Sequence, residues 1–107
     1  MSGSLGDMGS LLKQAQEMQR ELDRVREELR RSKVEGTAGG GAVRIEITGD
    51  RKIQRVEIAD DVANGGDKAL LEDLVLAAMR DALSKAEALA EESMGRVTGG
   101  MNLPGLF

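Results

Sequence analysis

The sequence predicts an α+β domain: a long helix near each end of the chain and a small antiparallel sheet between them. Three observations predict it. Leu11, Ala15, Met18, Leu22, Val25 and Leu29 recur at steps of four and three, the a/d rhythm of a coiled-coil seam. Val43, Ile45 and Ile47 then alternate with Arg44, Glu46 and Thr48, and Val56 and Ile58 alternate with Arg55 and Glu57, the period of half-buried strands. Helical spacing returns at Leu71, Val75, Ala78, Ala82, Ala86 and Leu89. At 107 residues, without internal repeats, the chain reads as one domain, residues 1–107.

Taken in order, residues 1–10 carry Gly and Ser with little periodicity and read as a flexible arm. Ser10 is a candidate cap for a first helix over 11–32, whose 21-residue heart spans about 32 Å at the helical rise. That is long for so small a chain, so part of it is expected to project. Residues 33–59 supply antiparallel strands, with Lys33–Ala38 the weakest of three. Gly39, Gly40 and Gly41 join it to the next strand, and Gly49-Asp50 suits a tight hairpin turn. Ile53 is out of phase with Val56 and Ile58, which calls for a bulge or a place in the turn. Asp67 is a good N-cap for a second helix over 67–94, whose Ala-rich middle lets another layer approach closely. Gly95 and Gly99-Gly100 are expected to end that helix, leaving 95–107 as an apolar, Pro-containing tail.

Composition excludes several functions. The chain has no Cys and no His, which removes disulfides, thiolate metal sites, the commonest metal ligand and the commonest general base. Nothing converges on Asp60-Asp61 or on the helical carboxylates Glu72, Asp73, Asp81, Glu91 and Glu92, so no catalytic residue, metal site or cofactor is expected. GTAGGGAV lacks the GK[ST] and the following helix of a phosphate loop and reads as a hairpin connection. One Phe, no Tyr and no Trp count against binding single strands by base stacking. The N-terminus lacks the parts of a signal peptide and no long apolar run exists, so a soluble cytoplasmic protein is expected. With so few aromatics and an apolar seam on a small chain, a dimer is expected as well.

The net charge of −4 divides unevenly: +1 over residues 1–58 and −5 over 59–107. Lys13, Arg20, Arg24 and Arg31, spaced 7, 4 and 7 apart, fall within about 20° of one line on the first helix, opposite its seam. Arg26, Arg30 and Lys33 add charge around the helix end. One reading makes these seven residues phosphate contacts along a projecting rod. The competing reading is a solvated face, since Glu17, Glu21, Glu27 and Glu28 interleave with them.

GDMGSLLKQAQEMQRELDRVREEL, KVEGTAGGGAVRIEITGDRKIQRVEI, LLEDLVLAAMRDALSKAEALAEESMGRVTGG and NLPGLF, in that order, resemble the YbaB/EbfC family of bacterial nucleoid-associated proteins over residues 8–107. The resemblance implies an α-β-β-β-α two-layer protomer with a three-stranded antiparallel sheet, in a tight homodimer whose helices project like tweezers. It also implies nonenzymatic binding of duplex DNA in the nucleoid, with roles in nucleoid organisation and gene regulation, and it transfers no binding residue individually. The alternative is a protein-interaction adaptor in DNA replication or recombination repair, docking a partner through the seam's outer end and the tail Leu103-Pro104-Gly105-Leu106-Phe107. Against that, the tail is expected to fold back on its own sheet. The acidic second helix, with Lys68, Arg80 and Lys85 against nine carboxylates between Asp60 and Glu92, would leave DNA to the first helix.

Overall fold

The computed structural model describes the backbone of residues 2–101 and the side chains of 7–98. The elements follow the order α1 (Ser2–Arg31), β1 (Lys33–Ala38), β2 (Val43–Thr48), β3 (Ile53–Ile58), α2 (Asp60–Ala63) and α3 (Lys68–Met101). Apart from the short helix α2, this is the α-β-β-β-α arrangement, drawn out to 78 × 23 × 16 Å.

Strand order is β1-β2-β3, antiparallel throughout. Alternation sends Val43, Ile45 and Ile47 to one face of β2, all essentially inaccessible to solvent, while Arg44 on the other face is exposed. The bulge expected near Ile53 is present: Glu46 pairs with Arg55 and Ile47 with Ile53, so Gln54 is the extra residue. It restores Ile53 to the face of Val56 and Ile58.

α3 lies across β1 and β2. Its Ala78, Ala82 and Ala86 are completely buried against Val34, Val43, Ile45 and Ile47. Gly36 permits this approach, since a Cβ there would stand 2.2 Å from the Ala78 carbonyl oxygen and 2.5 Å from the Ala82 Cβ. The hairpin from β1 to β2 turns on Gly39, Gly40 and Gly41, with φ of 64°, 68° and 96°. The glycines expected to form a connection do so.

A second cluster joins the long helices. Val25 and Leu29 of α1 are buried with Val97 of α3, flanked by Met18, Leu22, Ala90 and Met94, and Leu89 touches both clusters. The seam therefore packs on α3. Asp67 caps α3 as expected, its Oδ1 accepting the Leu70 N–H at 3.0 Å.

Both helices run further than the sequence indicated. α1 begins at Ser2, where a flexible arm over 1–10 was expected, and Ser10 lies inside it. Once a helix is nucleated each further residue adds a hydrogen bond, so glycines weaken it without ending it. α3 passes through Gly95 to Met101 because Val97, beyond that glycine, is held against α1. Residues 102–107, and with them the expectation that the tail folds onto the sheet, lie outside the described residues. No helix among the described residues is long and apolar enough to cross a membrane.

Candidate nucleic-acid interface

The packed seam fixes which way the rest of α1 faces. With Val25 and Leu29 turned to α3, Lys13, Arg20 and Arg31 fall on the far side and Arg24 reaches the flank beside α3, all exposed. From Lys13 to Arg31 the line runs about 27 Å at the helical rise.

The structure divides the seven basic residues of the expected set. Arg26 and Arg30 turn towards the hairpin between β2 and β3, where Asp23, Glu27, Leu29, Asp50 and Lys52 complete a cleft of about 370 Å³. The hairpin is held by the Arg51 N–H to the Thr48 carbonyl at 2.9 Å and the Thr48 N–H to the Lys52 carbonyl at 2.8 Å. Arg51 itself adopts φ 71°, a conformation uncommon for a side chain of its size. Lys33 opens β1 across from Thr48, at the start of this turn. Lys13 stands apart, beyond the stretch from Met18 to Leu29 that packs on α3, while Arg20 lies within that stretch.

Carboxylates occupy most of the arginines. Arg24 reaches Glu21 at 2.8 Å and Glu28 at 2.5 Å, Arg26 reaches Asp23 at 3.2 Å, and Glu27 takes both Arg30 and Arg31. Hydrogen bonding to Glu21 raises the Arg24 guanidinium further above its already high range, and Glu27 does the same for Arg30, with a smaller push from Asp50. Glu27 in turn is held below the usual carboxylate range, chiefly by its bond to Arg30. These arginines therefore stay charged at any working pH. Lys13, Arg20 and Lys33 form no ion pair among the described residues.

Three basic residues join the set that helical spacing did not indicate. Arg51 and Lys52 come from the hairpin beside Arg26 and Arg30. Arg96 of α3 shares a groove with Arg24, Glu21, Glu28 and Ser93. Their charge is plain in the sequence, but their proximity depends on how the turn and the second helix pack on α1.

An elongated α+β protomer with a basic line along a helical arm is a scaffold suited to a long polyanion rather than to a small molecule. The protein comparisons agree. The YbaB/EbfC DNA-binding family model matches residues 5–101. A nucleoid-associated protein of Acetivibrio thermocellus is 44% identical over 95% of this chain and 91% of its own. One from Chloroflexus aurantiacus is 47% identical over 91% of this chain and 95% of its own, and one from Alkaliphilus metalliredigens is 38% identical over 98% and 92%. The chain belongs to the YbaB/EbfC DNA-binding family. In fold it is similar to the uncharacterized Helicobacter pylori protein HP0035, with a TM-score of 0.62 at 21% identity over 88% of this chain and 91% of the other.

Proposed function

We propose that this protein is a nonenzymatic, nucleoid-associated homodimer of the bacterial cytoplasm that binds duplex DNA mainly through phosphate contacts, with a role in nucleoid organisation and gene regulation. The observation that carries the reading is the exposed line Lys13, Arg20, Arg24 and Arg31, in a chain that belongs to a DNA-binding family. Arg26, Arg30 and Lys33, with Lys52 in the same cleft as the two arginines, extend the contact to the base of the arm.

The interleaved carboxylates weaken this surface without disabling it. Exposed ion pairs within one helix are worth about 0.3–0.5 kcal/mol, so an arginine turns from a glutamate to a phosphate at little cost. Over α1 six Lys/Arg balance six Asp/Glu, so the arm offers cations aligned on one face rather than net charge, and a homodimer doubles that line. Dimerisation has its own support: Ile53 and Val56 of β3 and Leu76 and Leu83 of α3 are large apolar residues left 42–56% exposed.

The test is anisotropy of a labelled duplex titrated with the protein across a salt series. Affinity is expected to fall linearly in log salt, with a slope of about 0.9 for each phosphate neutralised, and to depend little on sequence. Replacing Arg20, Arg24 and Arg31 by Glu lowers both affinity and slope for every duplex. An unchanged affinity in that variant, with its oligomeric state intact, overturns the assignment of these residues. No binding at low salt overturns the function itself for the isolated protein.

A further inference from the structure

β2 and β3 carry matched apolar residues on one face of the sheet, but their cover reaches only β2. Ile45 stands directly opposite Val56, and Ile47 opposite Ile53. Ile45 and Ile47 are each 2% exposed, whereas Val56 is 51% and Ile53 56% exposed. The backbone on the far side of β3 is open as well, since β3 ends the sheet and meets no further strand among the described residues. The Ala59 N–H donates to the Ala42 carbonyl at 2.8 Å. Alternating from that bond, Glu57 and Arg55 turn their backbone polar groups to β2, while Val56 and Ile58 turn theirs outward.

The other face of β3 is charged. Arg55 stands opposite Glu46 and Glu57 opposite Arg44, and Arg55 also reaches Glu57 along its own strand at 2.5 Å. Read across the sheet, one row runs Glu35, Glu46, Arg55 and the next Thr37, Arg44, Glu57. One row therefore meets the open edge with a cation and its neighbour with an anion.

Such an edge is complementary to a copy of itself about a two-fold axis. Residues opposite each other in an antiparallel pair share a face, so keeping the apolar faces together leaves registers centred on Arg55, Val56 or Glu57. An axis at Arg55 sets two guanidinium groups opposite each other, and an axis at Glu57 two carboxylates, both unfavourable. An axis at Val56 stacks Val56 on the partner's Val56 and joins their outward backbone groups by hydrogen bonds. It also sets Arg55 opposite the partner's Glu57, twice by symmetry. The row Glu46, Arg55 then continues into the partner's Glu57 and the partner's Arg44, alternating in sign throughout.

We infer that two copies of this protein join edge to edge through β3, with Val56 on the two-fold axis, so that two three-stranded sheets become one sheet of six strands. The inference rests on the homodimer reading above and names the surface and the register by which that dimer forms.

The test is a charge swap that leaves composition unchanged: Arg55→Glu together with Glu57→Arg in one chain. Sedimentation velocity first shows whether the wild type and the swapped protein each dimerise. One of the two is then labelled with a heavy isotope, both are unfolded in urea and refolded together, and native mass spectrometry counts the heterodimer. In either homodimer opposite charges still face each other across the axis, whereas in the heterodimer like charges meet twice. Contacts with Glu46 and Arg44 inside the swapped protomer are the same in both assemblies and do not bias the count. The heterodimer is expected about tenfold below its statistical share. The statistical share itself overturns the inference and leaves β3 to another cover. An excess of heterodimer overturns the register, because an axis at Arg55 or Glu57 would bring opposite charges together. Mixing the single variants Arg55→Glu and Glu57→Arg gives the converse reading, a heterodimer in excess, and serves where the swapped chain does not fold; a statistical mixture there overturns the inference equally. A wild-type monomer at high concentration overturns the homodimer reading and this inference with it.

Discussion

The two edges of the sheet are finished differently. Along β1 the outward backbone groups are taken by α3: the Thr37 N–H donates to Asp81 Oδ2 at 3.0 Å, and Lys85 Nζ donates to the Glu35 carbonyl at 3.1 Å. The two side chains also pair with each other at 2.9 Å. Along β3 nothing among the described residues plays that part, and the strand is exposed over nearly its whole length. The helix explains the difference. At 100° per residue, Asp81 and Lys85 stand about 60–100° to one side of the alanine stripe, while Leu76 and Leu83 stand about 100–120° to the other. One flank of α3 closes an edge with polar groups. The opposite flank carries Leu76 and Leu83, and Ile53 and Val56 of the open strand are likewise exposed. An open strand edge and exposed apolar side chains are the features on which the proposed homodimer rests.

The closed side should break hardest. Gly36→Val places a branched side chain where even a Cβ meets the Ala78 carbonyl and Ala82, with backbone on the receiving side. Overpacking of that kind costs about 3 kcal/mol or more, a large share of a small domain's stability. Urea unfolding measures it. A loss below about 1 kcal/mol would show that α3 does not need to ride this close to β1.

On the open side the expected effect is on assembly. In an isolated protomer Leu83→Arg and Val56→Arg are surface changes worth about 0.5 kcal/mol or less. In the proposed homodimer each places a charge on apolar surface taken into the interface, at a cost of several kcal/mol unless it finds a partner. Sedimentation velocity should show the wild type as a dimer and each variant as a monomer that keeps its circular dichroism. A wild-type monomer at high concentration would instead mean that these apolar side chains stay bare in solution.

This contrast also marks what was legible beforehand. The β2 alternation, the helical stripe at Ala78, Ala82 and Ala86, and the seam of α1 from Met18 to Leu29 are local periodicities that came through with their residues in place, whereas Leu11 and Ala15 of that seam are exposed. The alanines announced a close approach. That Gly36 is their counterpart was hidden, because it depends on which strand α3 crosses. The helix ends were misplaced because local glycines were weighed without the tertiary contact of Val97. At the candidate interface the line on α1 is legible for the same reason as the seam. The nearness of Lys52 to Arg30 depends on the packing of a turn, and that of Arg96 to Arg24 on the register of two helices, neither of which has a local signature.

The smallest effect concerns the ion pair that closes β1. The Thr37 N–H, and then Lys85, stabilise the Asp81 carboxylate and hold its pKa below the ordinary value of 3.8. A depressed folded-state pKa means that the unfolded chain takes up the proton first. Asp81 therefore contributes its full stabilisation above that ordinary value, and the contribution is lost as pH falls through it towards the folded value. Asp81→Asn keeps an oxygen to accept the Thr37 N–H and removes the charge. Urea midpoints taken stepwise from pH 6 to pH 3 should fall less steeply for the variant than for the wild type, and the curves should converge in acid. Parallel curves would mean that the carboxylate's charge adds nothing to the closed edge, leaving the hydrogen bond alone to hold β1 under α3.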